Sequence, residues 1–216
     1  MARPEHIEIA KRGASAIAEW HSRNSTSWLD LINADLSGVN LCGAHFDRCD
    51  LRGADLGGAN LSDTRWSGGN IKAKTFRGTT CVRADFQGQD LQDCDFEDAI
   101  LDDAILTGCR LTNTRLNSAT GSRVKLNTLV MNHAKLNGAK FTDSNFSGSE
   151  LQGVVLSNAT LASCDFSDSN LTDSIMSDAR LLNCTFRRAK CIRTSFLRAS
   201  IKGSDFHESI LSDANF

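Results

Sequence analysis

No apolar run in this 216-residue chain approaches 18 residues, the length that a membrane-spanning helix requires. The opening stretch, MARPEHIEIAKRGASAIAEW, lacks the long apolar core of a secretory signal and carries acids. Together these absences predict a soluble, cytoplasmic protein with no membrane partner. There is no Cys-x-x-Cys pair, no phosphate-binding glycine loop and no nucleophile elbow. The five histidines, His6, His21, His45, His133 and His207, are scattered. The sequence thus predicts no enzyme, no catalytic or metal-binding residue and no cofactor. Charge of one sign is also lacking, with 24 Lys and Arg against 26 Asp and Glu.

What the chain has instead is a repeat. In DLRGADLGGANLSD (50–63), Leu51, Leu56 and Leu61 stand five apart, and Cys49, Ala54 and Ala59 precede them by two. From Leu31 to Phe216 every number ending in 1 or 6 belongs to this series of 38 positions. Nineteen are Leu, and 11 are Phe, which is all the phenylalanine in the chain. Two places before each, 34 of 37 residues are small; Lys74, Gln89 and Leu129 are the exceptions. Two places after, 25 of 37 are Gly, Asp or Asn, residues that tolerate tight turns. A period of five fits neither helix nor strand. It fits a chain that turns a corner every five residues, an all-β solenoid.

A second period of 20 lies over the first. The column Phe46, Trp66, Phe86, Leu106, Leu126, Phe146, Phe166, Phe186, Phe206 is aromatic at seven of nine places, whereas the column from Leu31 has no aromatic residue. Four pentapeptides therefore form one square coil, and like stacks on like. About nine coils follow from residues 31–216, a rod near 45 Å at a strand spacing of about 4.8 Å.

Charges obey the same step, as a ladder of alternating sign: Asp63–Arg83–Asp103–Arg123–Asp143, Asp168–Arg188–Glu208, Asp173–Arg193–Asp213 and Asp178–Arg198. Asp90–Arg110, Asp95–Arg115 and Arg65–Asp85 extend it.

The repeat seen in ADLSG (34–38), ADLGG (54–58), ANLSD (59–63) and ADFQG (84–88) resembles the pentapeptide-repeat family. The resemblance spans residues 31–216. It implies a right-handed, four-sided (quadrilateral) β-helix. The best known members are bacterial and protect DNA gyrase from quinolones by imitating duplex DNA. The stretch PEHIEIAKRGASAIAEW also resembles helical caps that precede the repeats in some members. Residues 1–30 are thus expected to be an N-terminal helix and linker capping a β-helix of residues 31–216. The helix is expected over 5–22, with Ile7, Ala10, Ala14, Ile17 and Trp20 on one face; HSRNSTSW (21–28) reads as the linker.

Seven of eight cysteines occupy inward positions: Cys49, Cys94, Cys109, Cys164 and Cys184 at the small site, Cys81 and Cys191 at the large one. They read as apolar filler held as thiols. Gly121 replaces a large residue between Leu101 and Phe141, leaving a small cavity or a bulge. Lys74 stands at an inward small site, and Gln89 stacks over Gly69.

At the far end the repeat reaches Phe216 still in register. Either the last coil (Phe206, Leu211, Phe216) pairs with another copy, or the natural chain runs on. Self-pairing predicts a two-fold homodimer.

A 45 Å imitation of duplex DNA needs on the order of 26 negative charges. The repeat has 22 acids and 20 bases, in alternating bands. In the basic band Arg187, Arg188, Lys190, Arg193, Arg198, Lys202, the residues Arg188, Arg193 and Arg198 each have an acid one coil below, so nucleic-acid binding is not expected. The sequence thus points to a non-enzymatic scaffold that docks a protein partner, with topoisomerase protection as the alternative.

Overall fold

Pentapeptides within the stack repeat one pattern of backbone hydrogen bonds. Around Leu56, the Ala54 N–H donates to the Leu51 carbonyl within the turn, at 2.9 Å. The Asp55 N–H donates to Ala34 O one coil below, and the Leu56 N–H donates to Thr75 O one coil above. Backbone donors are thereby satisfied between coils rather than within an element. The computed structural model describes residues 2–67, 71–73 and 75–216. Lys74 and Gly69, singled out above, lie outside them.

The parallel bridges run between residues 20 apart. They recur in four columns per coil, such as Asp35↔Asp55, Asn40↔Asn60, His45↔Arg65 and Asp90↔Arg110. Strand β1 (Leu29–Asp30) pairs with β2 (Cys49–Asp50), so coil pairing begins two residues before Leu31. Further along, β3 (Thr120–Ser122), β4 (Lys140–Thr142), β5 (Thr160–Ala162) and β6 (Arg180–Leu182) form a four-stranded parallel sheet along one face.

Corners come from the turn residues. Among the described residues, every turn position from Asn33 to Asp213 except Ala73 has a left-handed backbone, including Arg83 (φ 56°) and Arg123 (φ 55°). This conformation costs an ordinary side chain about 1–2 kcal/mol, which accounts for the excess of Gly, Asp and Asn there.

Every described large position from Leu31 to Phe196 is buried. The aromatic column stacks in offset fashion: Phe46 on Trp66 at 4.2 Å, Phe146 on Phe166 at 4.7 Å and Phe166 on Phe186 at 5.0 Å between ring centroids. Gly121 leaves no cavity. A Cβ built there meets Val124 Cγ2 at 2.5 Å and Phe141 Cε1 at 3.1 Å, so those two side chains already fill the space.

The N-terminal segment is two helices where the sequence reading expected one. Helix α1 (Pro4–Lys11) and helix α2 (Ala14–Arg23) are separated at Gly13, whose φ is 87°. Pro4 suits the first turn because it has no N–H to leave unpaired. Helix α2 also takes the first three residues of the expected linker. Ala10 and Ile17 are fully buried, and Ile7, Ala14 and Trp20 pack partly against the core. The His6 Nδ1 accepts the Asp30 N–H at 2.9 Å, tying α1 to β1.

Candidate interaction surfaces

The ladder of alternating charges resolves into discrete pairs. Arg83 donates through Nε and a terminal nitrogen to both carboxylate oxygens of Asp63, at 2.7 Å each. Arg123 holds Asp103 in the same way, Arg188 holds Asp168, Arg193 holds Asp173 and Arg198 holds Asp178. All five arginines reach back one coil. None bonds forward, so Asp143 and Asp213 take no arginine, and Glu208 sits 3.3 Å from His207 instead. Arg115 bonds to Asp95, and Arg110 comes within 3.9 Å of Asp90. Arg65 and Asp85 bridge through the backbone without an ion pair. Among the described residues, pairs not foreseen include Arg52–Asp50, Arg77 with both Glu97 and Asp98, Lys72–Asp90 and Arg187–Asp205.

The hydrogen bond from Arg123 holds the Asp103 carboxyl below its usual range, and Arg188 does the same to Asp168. A depressed carboxyl pKa stabilises the fold above the unfolded-state value near 4, and that stability is lost as pH falls. Arg123→Glu should therefore melt below the parent and below Lys125→Glu, a change at an unpaired surface cation. The melting difference between the parent and Arg123→Gln should close as pH drops below about 4. Equal melting temperatures at neutral pH would contradict the pairing.

Chemistry of a nucleophilic kind has one place to be sought. The Cys49 Sγ lies 3.6 Å from His21 Nε2, beside a cleft of about 420 Å³ lined by Ala14, Ser15, Ala18, His21, His45 and Arg48. Sequence spacing gave no hint of this pair, which is 28 residues apart. Burial pushes the Cys49 thiol up to about 12. Burial, aided by Arg48, pushes the imidazole down. Both shifts favour neutral forms, the opposite of the thiolate–imidazolium pair that a cysteine nucleophile needs. Cys81, Cys94, Cys109 and Cys191 are likewise pushed up to about 12 by burial, whereas a hydrogen bond with Cys164 lowers Cys184. All eight cysteines are free. Among the described residues, no group of three or more His, Cys, Asp or Glu is placed to hold a metal, and no helix is long and apolar enough to cross a membrane.

At the C-terminal coil the burial of the large series stops. Ile201, Phe206 and Leu211 are only partly covered and Phe216 is 54% exposed. Phe216 still stacks on Phe196 at 4.9 Å. Ile210, on the outer wall of the same coil, is 45% exposed.

Known proteins share this architecture. The chain is similar to the full-length structure of QnrB1, a plasmid-mediated fluoroquinolone resistance protein, at 17% identity over 85% of this chain and 84% of that one, with a TM-score of 0.53. HetL, a pentapeptide repeat protein involved in heterocyst differentiation regulation in the cyanobacterium Nostoc, matches at 22% identity over 92% of each chain, with a TM-score of 0.35. A thylakoid-lumen pentapeptide repeat protein of Arabidopsis thaliana matches at 28% identity over 59% of this chain and 72% of that one, with a TM-score of 0.31. No curated protein sequence matches. A sequence profile described as pentapeptide repeats matches residues 27–65, 139–178, 149–188 and 179–216, and a second, described as a pentapeptide repeat region, matches 79–156. The chain belongs to the pentapeptide-repeat family.

Proposed function

We propose that this chain is a non-enzymatic rod that docks protein surfaces, including a second copy of itself. In this reading residues 31–216 form a right-handed, four-sided β-helix of about nine coils, and residues 1–30 cap its first coil through α1 and α2. The Asp30–His6 bond and the burial of Ile17 support that cap.

The observation that carries the proposal is the loss of burial after Phe196. Ile201, Phe206, Leu211 and Phe216 present one apolar coil surface, rimmed by unpaired strand groups of the kind that template further pairing. A second copy offers the same surface, and a two-fold axis lets each cover the other. Light scattering on the purified chain is expected to give twice the monomer mass, and Phe216→Asp is expected to give the monomer. A monomeric parent at 100 μM, some ten times a micromolar-range dissociation constant, would remove the self-docking half.

The alternative is protection of a topoisomerase. Its support is the shared fold with QnrB1, a plasmid-mediated fluoroquinolone resistance protein. Against it stands a surface on which Asp63, Asp103, Asp168, Asp173 and Asp178 are tied to arginines one coil on, which is unlike a uniformly anionic rod. Gyrase supercoiling in the presence of a quinolone separates the two readings. Rescue by the added chain favours protection, and no rescue leaves the docking rod.

A further inference from the structure

The β3–β6 face differs from the rest of the exterior. None of its twelve residues is acidic, and it carries two exposed cations, Lys140 and Arg180. Its outward line reads Thr120, Lys140, Thr160, Arg180, then Ser200 by a further bridge. Hydroxyl and cation alternate, and the two cations stand two coils apart, about 10 Å at the usual strand spacing. The second outward line reads Ser122, Thr142, Ala162, Leu182, and Lys202 follows on the next coil, where its carbonyl accepts the Asn183 N–H. Lys140, Arg180 and Lys202 form no ion pair with any described residue. By contrast, Arg187, Arg188, Arg193 and Arg198 in the same coils are all committed to aspartates. Lys190, on another bridge column, is also without an ion pair, but the β3–β6 face alone sets three such cations around apolar side chains.

We infer that this face docks an acidic protein surface, one that sets carboxylates around a small apolar centre. Ala162 and Leu182 lie amid the three cations, giving an apolar middle with a charged rim, which is the anatomy of a protein–protein contact. The hydroxyls of Thr142 and Thr160 supply donors for carboxylate oxygens. A nucleic acid fits less well. No aromatic side chain stands on the outward lines to stack a base, Leu182 has no partner on a phosphate backbone, and the chain as a whole is negative by two charges, which repels a long polyanion beyond the patch. A sheet four strands wide is small for an interface, so the contact is a transient one.

The inference rests on the docking-rod reading, and its test is separable from that one. The probe is a fluorescein-labelled peptide with two central leucines flanked on both sides by glutamates, read by anisotropy. A 20-base-pair duplex serves as the competing class. The parent is expected to bind the peptide, with Lys140→Glu/Arg180→Glu/Lys202→Glu at least tenfold weaker and Leu182→Asp at least fivefold weaker. Lys190→Glu, on a different bridge column, should bind as the parent does. Amide NMR shifts on adding peptide should centre on Thr160, Arg180 and Leu182. The inference is overturned if the triple variant binds like the parent, if shifts centre elsewhere, or if the duplex binds as tightly as the peptide. Light scattering on the same samples reads self-docking independently, so an intact dimer without peptide binding removes the face assignment alone.

Discussion

Phe166→Ala is expected to melt roughly 10 °C or more below the parent by calorimetry. Removing a fully buried phenylalanine costs about 3–5 kcal/mol, and a chain of this size loses about 2–4 °C per kcal/mol. Phe166 is fully buried, with Phe146 on one side at 4.7 Å and Phe186 on the other at 5.0 Å. Truncation removes both stacking contacts at once. The void cannot collapse, because backbone bonds such as Phe166 N–H to Thr185 O at 2.7 Å hold the adjacent coils at fixed spacing. Contacts in a solenoid run only between neighbouring coils, so one weak coil interface lowers the stability of everything that crosses it. Phe216→Ala is the contrast: Phe216 is mostly exposed and stacks on one side only, so its loss should shift melting by no more than a few degrees. A Phe166→Ala chain melting within 3 °C of the parent would contradict the stacked column, since even the low end of that cost predicts about twice the shift.

Gly121→Leu is the second large effect, and its sign runs against the sequence consensus. Leucine is the commonest residue of the large series, so restoring it at Gly121 looks like a repair. The structure says otherwise. Gly121 in β3 pairs with Phe141 in β4, and the Phe141 ring and Val124 methyl already occupy the space a side chain would enter. Overpacking of this kind costs about 1–3 kcal/mol, so Gly121→Leu should melt several degrees lower than the parent. Gly121→Leu with Phe141→Ala should recover part of the loss, because the two sites share one volume. A single Gly121→Leu variant that melts higher than the parent would show that a void exists after all.

Gly121 also marks where the sequence stopped being informative. The step of 20 made column neighbours visible, and the bridges fall in that register. That step identifies which side chains are adjacent but says nothing of how a ring tilts to fill a gap. The direction of pairing in the charge ladder was not legible for a related reason. A step of 20 is symmetric, so it cannot tell whether Arg123 chooses Asp103 or Asp143. In the structure Arg83, Arg123, Arg188, Arg193 and Arg198 all reach backward. The break at Gly13 was legible in part: Lys11 and Arg12 ahead of a glycine is the pattern of a helix end, outweighed in the reading by an apolar face that ran through it. The free cations of the β3–β6 face were legible too, by setting aside each arginine with an acid 20 residues away. Counting charge by bands along the chain hid them, because the bands mix four faces.

The uniform register of the bridges has a bearing on how such a chain lengthens or shortens. Losing 20 residues removes one whole storey and leaves every later column above its old neighbours. Losing five breaks the columns only at the point of loss, where pairs that span it fall out of step while pairs wholly beyond it, such as Asp168–Arg188, keep their separation of 20. Growth in whole storeys leaves the outer pattern continuous, whereas the slip of a single pentapeptide keeps the core and cuts each outer column in two.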